Sequence, residues 1–223
     1  MTPLAIMARY PMVGQVKTRL AQRIGAERAA ALYRAFLDDL AARFGCGPRP
    51  LVWLFHPPDA PFAAIVGSGT RCLAQRGADL GERLRNAFAD LTTASAAGAV
   101  VIGADVPHVP AERIDAAADA LAHADVVLGP TDDGGYYLVA MRAAHDIFTG
   151  VEMGTARVLE QTRARVTALG LRLHLLSPWF DLDEVADLER LRELVRRDAA
   201  MAAAVVNTAR ALEAGDWGLG AGG

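Results

Sequence analysis

Apolar residues fall in short runs separated by stretches of helical spacing, and this alternation persists along almost the whole chain. Leu4–Ala8 is an unbroken apolar run closed by Arg9, Tyr10 and Pro11, which predicts a buried first strand. Met12–Arg19, with one glycine and two cations, predicts a loop leading into a helix. Over Glu27–Phe44 the residues Ala30, Leu32, Tyr33, Phe36, Leu37 and Leu40 recur at helical spacing, and Gly45 provides the stop. Leu51–Phe55 predicts a second strand, ended at His56-Pro57-Pro58 because proline donates no ladder hydrogen bond. An ill-defined helix follows, and Arg71–Gln75 reads as a short third strand.

The second half repeats the pattern. Leu80–Leu91 carries Leu84, Ala87, Phe88 and Leu91 on one helical face. Ala99–Ile102 is the unbroken apolar run of a central strand covered on both faces, and Gly103-Ala104-Asp105 follows at once. Pro110 opens a helix to about His123, Val126–Leu128 is a strand, and a turn at Asp132-Asp133-Gly134-Gly135 leads into a strand at Tyr136–Met141. Thr155–Ala168 predicts a helix, Leu171–Leu175 a strand and Asp183–Arg197 a helix, and Ala199–Val206 is also helix-like. Strands alternating with helices predict an α/β fold with a mainly parallel sheet. Tyr136–Met141, entered through a tight glycine turn, is the candidate antiparallel strand. No repeat and no internal linker divides the chain. It therefore reads as one domain over residues 1–214 with a frayed, glycine-rich tail at 215–223.

Composition narrows the function classes. Hydrophobic residues make up 52% of the 223 and charged residues 22%, which is globular. A net charge of −3 supplies no broadly basic face, and Trp53, Trp179 and Trp217 form no aromatic platform, so nucleic acid is not an expected partner. No apolar run approaches the ~18 residues of a membrane span, and the N-terminus lacks a signal-peptide pattern. Cys46 and Cys72 have no metal-knuckle spacing and read as reduced thiols of a cytoplasmic protein. The five histidines show no ligand spacing, with His108 a weak candidate for its nearness to Asp105. Neither a Gly-x-Ser-x-Gly elbow nor a His-Glu-x-x-His motif is present.

Five segments carry candidate chemistry. Asp105 lies just past a buried strand, where open α/β sheets bind ligands, and can hold Mg²⁺ or Mn²⁺; the competing reading is a turn cap. Asp181 and Asp183 form an Asp-x-Asp pair that would put two carboxylates on one side of an extended segment; Asp183 equally fits a helix N-cap. Gly14, Lys17 and Arg19 follow the first strand in a loop suited to phosphates, although the spacing is neither Walker A nor Gly-x-Gly-x-x-Gly. Gly77 and Asp79 sit in a loop entering a helix, where glycine lets the chain pass a flat base and Asp79 fits a cap. Asp132, Asp133, Gly134, Gly135 and Tyr136 form a turn that would bring a carboxylate and bare backbone to an acceptor, or serve as an ordinary Asp-Gly turn.

The stretches ARYPMVGQVKTRL (Ala8–Leu20), QRGADLGERL (Gln75–Leu84), IGADVP (Ile102–Pro107), LGPTDDGGYY (Leu128–Tyr137) and FDLDEVADL (Phe180–Leu188) occur in this order, and with them the chain resembles the DUF2064 family over residues 4–195. Members are described as GT-A-like glycosyltransferases, also as arsenosugar-biosynthesis-type or radical-SAM-associated transferases. The chain is more distantly similar to molybdenum-cofactor and phospholactate nucleotidyltransferases. The resemblance implies a GT-A, Rossmann-like three-layer sandwich with a mixed, mainly parallel sheet. It implies that Gly14, Lys17 and Arg19 lie by the nucleotide phosphates, that Asp105 with Asp181 and Asp183 holds Mg²⁺ or Mn²⁺, and that the Asp-Gly-Gly-Tyr-Tyr turn lines the acceptor side. Departures are Gly-Ala-Asp-Val-Pro for the usual Gly-Thr-Asp-Cys-Pro, Arg9-Tyr10 for a usual Lys-Xaa, and Met153-Gly154-Thr155 for Trp-Ser-Thr, which leaves Thr155 as the hydroxyl on that side.

The expectation is a metal-dependent transferase of a nucleotide-activated small molecule, with Asp105, Asp133 and Lys17 catalytic. Glycosyl transfer from a nucleotide-diphospho-sugar is the first reading. Nucleotidyl transfer from an NTP with release of pyrophosphate is the alternative, and a non-catalytic nucleotide or metabolite binder is the third. A homodimer is left open.

Overall fold

The computed structural model describes residues 1–67 and 69–214, so the tail expected at 215–223 lies outside the described residues. The elements in chain order are β1 (Leu4–Arg9), α1 (Thr18–Ile24), α2 (Ala26–Phe44), β2 (Leu51–His56), α3 (Ala63–Val66), β3 (Arg71–Ala74), α4 (Leu80–Ala94) and β4 (Ala99–Gly103). There follow α5 (Ala111–Ala120), β5 (Val126–Pro130), β6 (Tyr136–Met141), α6 (Val158–Ala168), β7 (Leu173–Leu175), α7 (Val185–Arg197), α8 (Ala199–Ala204) and α9 (Val206–Ala214). One seven-stranded sheet has the order β3-β2-β1-β4-β6-β5-β7. All pairings are parallel except those of β6, which runs antiparallel to both β4 and β5.

Period-two alternation divides each strand between two cores. In β1, Leu4, Ile6 and Ala8 face a core shared with α2, α5 and α7, while Ala5 faces a second core built with α4 and α6. Helices therefore cover both faces, as the continuous apolar runs require. Trp53 and Phe36 anchor the first core and Phe88 the second, all fully buried. Burial of each such side chain contributes roughly 1.5–3 kcal/mol.

Boundaries moved where local backbone chemistry decided them. Helix begins at Thr18, inside the expected loop, and Gly25 at φ +87° separates α1 from α2. The last strand starts at Leu173 rather than Leu171, whose N–H closes α6 on Val166. Helix α7 starts at Val185, and its N-cap is Glu184 in a capping box with Asp187, so Asp183 is not the cap. Helix α9 docks on α2 through Asp39, a 2% exposed residue that accepts from the Asn207 and Thr208 N–H groups and from the Asn207 side chain. None of the described helices is long and apolar enough to cross a membrane.

Candidate functional site

The adjacent parallel strands β1 and β4 end side by side, with Met7 opposite Gly103 and the Ala104 N–H bonded to the Met7 carbonyl at 2.9 Å. The chain leaves β1 through Gly14 at φ +77° and reaches Lys17; it leaves β4 directly into Asp105. Between these exits opens a cavity of about 910 Å³, whose lining includes Arg9, Arg19 and Arg83 together with Asp133, Asp181 and Asp183.

Lys17 is the centre of this site. Its backbone is left-handed at φ 47°, a conformation uncommon for a residue with a Cβ. Its side chain is only 4% exposed, and Nζ lies 2.5 Å from Asp105 Oδ1 and 2.7 Å from Asp183 Oδ1. The ammonium also lies 5.7 Å from the Phe36 ring centroid. The two carboxylates are 44% and 37% exposed, so they face the cavity. Burial works against the Lys17 charge, but the carboxylates outweigh it and raise the pKa above the ordinary lysine value. Lys17 is therefore cationic throughout the neutral range.

Backbone holds the two acidic segments together. The Leu182 N–H donates to the Asp105 carbonyl at 3.0 Å, and the Leu182 side chain is fully buried. Asp181 and Asp183 flank it and both line the cavity, as the Asp-x-Asp spacing predicts. Burial, followed by repulsion from Asp183 and Asp133, pushes the Asp181 carboxyl up to about 6. Arg43 fixes the exit from β4 by donating to the Pro107 carbonyl and, at 2.6 Å, to that of Val109.

The remaining predicted residues divide. Arg19, Asp79, Asp133, Gly135, Tyr136 and Thr155 line the cavity. Asp133 Oδ1 accepts from the Thr131 hydroxyl at 2.5 Å and the Gly135 N–H at 3.0 Å, so it closes its own turn while facing the cavity. Asp79 caps α4 by accepting from the Glu82 N–H at 2.8 Å. The Thr155 hydroxyl donates to the Glu152 carbonyl at 2.9 Å. Burial pushes the Tyr136 hydroxyl up to about 12, and that buried hydroxyl has no hydrogen-bond partner among the described residues. Gly14, Gly77, Asp132 and Gly134 are not part of the lining. Asp132 pairs outward with Arg190 at 2.8 Å. At Gly77, φ +137°, a Cβ would come within 2.7 Å of Glu82 Cβ; at Gly134, φ +88°, within 2.1 Å of the Ala156 carbonyl oxygen. At both glycines a side chain would clash with the neighbouring segment.

Further wall residues lie outside the predicted site set. Tyr33 accepts from the Arg9 N–H at 2.9 Å, and the Gln75 amide donates to the Leu54 carbonyl at 2.7 Å and the Ala8 carbonyl at 3.2 Å. Gln75 opens the QRGADLGERL stretch and was expected to end the third strand, which stops at Ala74; Tyr33 sits in the apolar stripe of a helix, and nothing in that stripe sets it apart.

Hard carboxylate oxygens suit Mg²⁺ or Mn²⁺, and Mg²⁺ is commonly held by one or two carboxylates with phosphate and water completing the shell. Asp105 and Asp183, gathered about one point, fit that pattern. Among the described residues no group of three or more acidic, histidine or cysteine side chains takes up a metal-holding arrangement.

The family model for DUF2064, described as an uncharacterized protein conserved in bacteria, matches residues 38–155. A phosphoenolpyruvate guanylyltransferase of Chloroflexus aggregans is 34% identical over 148 residues, 64% of this chain and 69% of the relative. The protein of the same name in Sphaerobacter thermophilus is 29% identical over 195 residues, 86% and 93% of the two chains. A crystal structure from Desulfovibrio desulfuricans G20, provisionally named a nucleotide-diphospho-sugar transferase, superposes with a TM-score of 0.85 at 30% identity, over 96% of this chain and 98% of that one.

Proposed function

We propose, from the premise that the chain belongs to the DUF2064 family and is a transferase, that the group it transfers is nucleotidyl: an NTP and a small acceptor give a nucleotidylated acceptor and pyrophosphate. Glycosyl transfer was the first expectation from sequence. The activity for which the relatives are named, guanylyl transfer, favours the alternative. The observation that carries the reading is the Lys17–Asp105–Asp183 cluster at the ends of β1 and β4, beside a wall of arginines, in a chain with such relatives.

In this reading the acceptor oxygen attacks the α-phosphorus, and the bond from that phosphorus to the α,β-bridging oxygen breaks. Arg19, Arg9 and Lys17 would counter the charge on the departing pyrophosphate, which in a low-dielectric cleft is the largest contribution a protein makes. Asp105 and Asp183 would hold a divalent cation, which supplies neutralisation of phosphate charge when bound. Asp133 would orient the acceptor, since one of its oxygens is already committed to its own turn. An acceptor phosphate is ionised at neutral pH and needs no base.

The test is pyrophosphate release. Purified protein with Mg²⁺ and GTP, ATP, CTP or UTP is offered phosphoenolpyruvate, the relatives' acceptor, and in parallel UDP-glucose or GDP-mannose as donor. Acceptor-dependent pyrophosphate from one NTP is expected. Release of a nucleoside diphosphate from a sugar nucleotide, with no pyrophosphate from any NTP, would return the assignment to glycosyl transfer.

A further inference from the structure

Lys17 occupies the point on which Asp105 and Asp183 converge. We infer that its ammonium is a built-in counter-ion for these two carboxylates, so that a divalent cation gains the site only together with a nucleotide whose phosphates draw the lysine away. This rests on the nucleotidyl-transfer reading and adds an order of assembly to it.

Three observations support it. First, Nζ sits 2.5 and 2.7 Å from one oxygen of each carboxylate, so a cation bound between those oxygens and the ammonium compete for the same space. Two positive charges cannot share it without strong repulsion. Second, the lysine is seated: it is 4% exposed and lies over the Phe36 ring, while its partners are more than a third exposed. The carboxylates therefore face incoming phosphate and metal, and the lysine backs them from the core side. Third, Lys17 is joined to the glycine turn after β1 and is the N-cap residue of α1, with a left-handed backbone and no side-chain cap bond. Arg9, Arg19 and Arg83 line the same cavity, so phosphates drawn to them give the ammonium an alternative anionic partner beside its present one.

The consequence is thermodynamic coupling. Metal binds weakly alone because Lys17 already holds the carboxylates, nucleotide because its phosphates must draw the lysine from them, and each strengthens the other by the same factor. Removing the ammonium uncouples them.

The experiment titrates nucleotide-free protein with Mn²⁺ and reads free Mn²⁺ by electron paramagnetic resonance, for wild type, Lys17→Met and Lys17→Gln. Circular dichroism checks that each variant is folded; the exposed carboxylates remain hydrated, and the two replacements differ in polarity. Both variants should bind Mn²⁺ on the order of tenfold or more tightly than wild type, and adding Asp183→Asn to either should remove the gain. In wild type GTP should strengthen Mn²⁺ binding by a larger factor than in the Lys17 variants. Equal Mn²⁺ affinity in wild type and folded variants overturns the inference. The Mn²⁺ titration uses no nucleotide, so that failure is distinct from failure of the functional reading, which shows separately as absence of any NTP-dependent pyrophosphate.

Discussion

His108 offers the sharpest link between this fold and a measurable quantity. It is fully buried three residues beyond Asp105, with its ring 4.3 Å from that of Phe180 and 5.5 Å from that of Trp179. Neither ring nitrogen has a hydrogen-bond partner in the structure. Burial, with the charges of Arg43, Arg190 and Lys17 added, depresses its pKa from 6.5 to about 3. A depressed folded-state value means that protons bind the unfolded chain preferentially, so stability is fully present above about pH 6.5 and is lost as pH falls toward 3. At pH 5, one and a half units below the unfolded value, His108 alone removes about 2 kcal/mol. His108→Leu deletes this linkage and also the cost of two unsatisfied ring nitrogens, about 1–3 kcal/mol. Urea unfolding of wild type and variant at pH 7.5 and pH 5.0 measures both. The variant should be at least as stable at pH 7.5, and its advantage should grow by about 2 kcal/mol at pH 5.0, near 4–8 °C in midpoint for a chain of this size. The other four histidines are common to both proteins and cancel. An advantage unchanged between the two pH values would refute a neutral, buried His108.

Asp39→Ala strands three donors at the start of α9, and should lower stability by about 2–4 kcal/mol in thermal unfolding while leaving nucleotide binding intact. Gly134→Ala drives a methyl group into the Ala156 carbonyl and imposes a left-handed backbone on alanine; proteolysis of the 153–157 segment should accelerate, and acceptor KM should rise more than that of the NTP. Asp105→Asn keeps the side-chain volume but removes one of the two charges facing Lys17. Pyrophosphate release should fall by about 10²-fold or more with circular dichroism unchanged.

Strand positions follow from apolar runs such as Ala99–Ile102, expected of a strand covered on both faces, and the three-layer sandwich from the family resemblance. The antiparallel β6 was legible from the two glycines before Tyr136. What the pattern could not show was partnership at long range. Lys17 and Asp183 are 166 residues apart and meet only because the Leu182 N–H pins the last acidic segment to the Asp105 carbonyl. Asp183 fits both an N-cap and a ligand by local rules. The structure decides between them by giving the cap to Glu184. Sequence grouped Asp181 with Asp105 and Asp183; in the structure it lines the same cavity, but burial and the charges of Asp183 and Asp133 set its carboxyl apart in acidity. Asp132 and Asp133 look equivalent in sequence, yet the turn sends one outward to Arg190 and the other to the cavity.

The site lies where topology leaves an opening. From β1 the sheet grows to β2 and β3 on one side, then the chain crosses back to place β4 on the other. The connections that leave β1 and β4 therefore diverge, and a crevice remains at the carboxyl ends of these neighbours. Lys17 and Asp105 are the charged residues that enter it from the two strands. A cation carried by one connection and an anion by the other would form a plain ion pair and close the crevice. The second carboxylate, Asp183, supplied by a segment that arrives only after all seven strands are laid down, leaves the cluster with more negative than positive charge. An excess of that sign repels a free nucleotide, yet attracts one that brings its own divalent cation. The cavity's other cations, Arg9, Arg19 and Arg83, line the same crevice, where phosphate rather than metal would meet them.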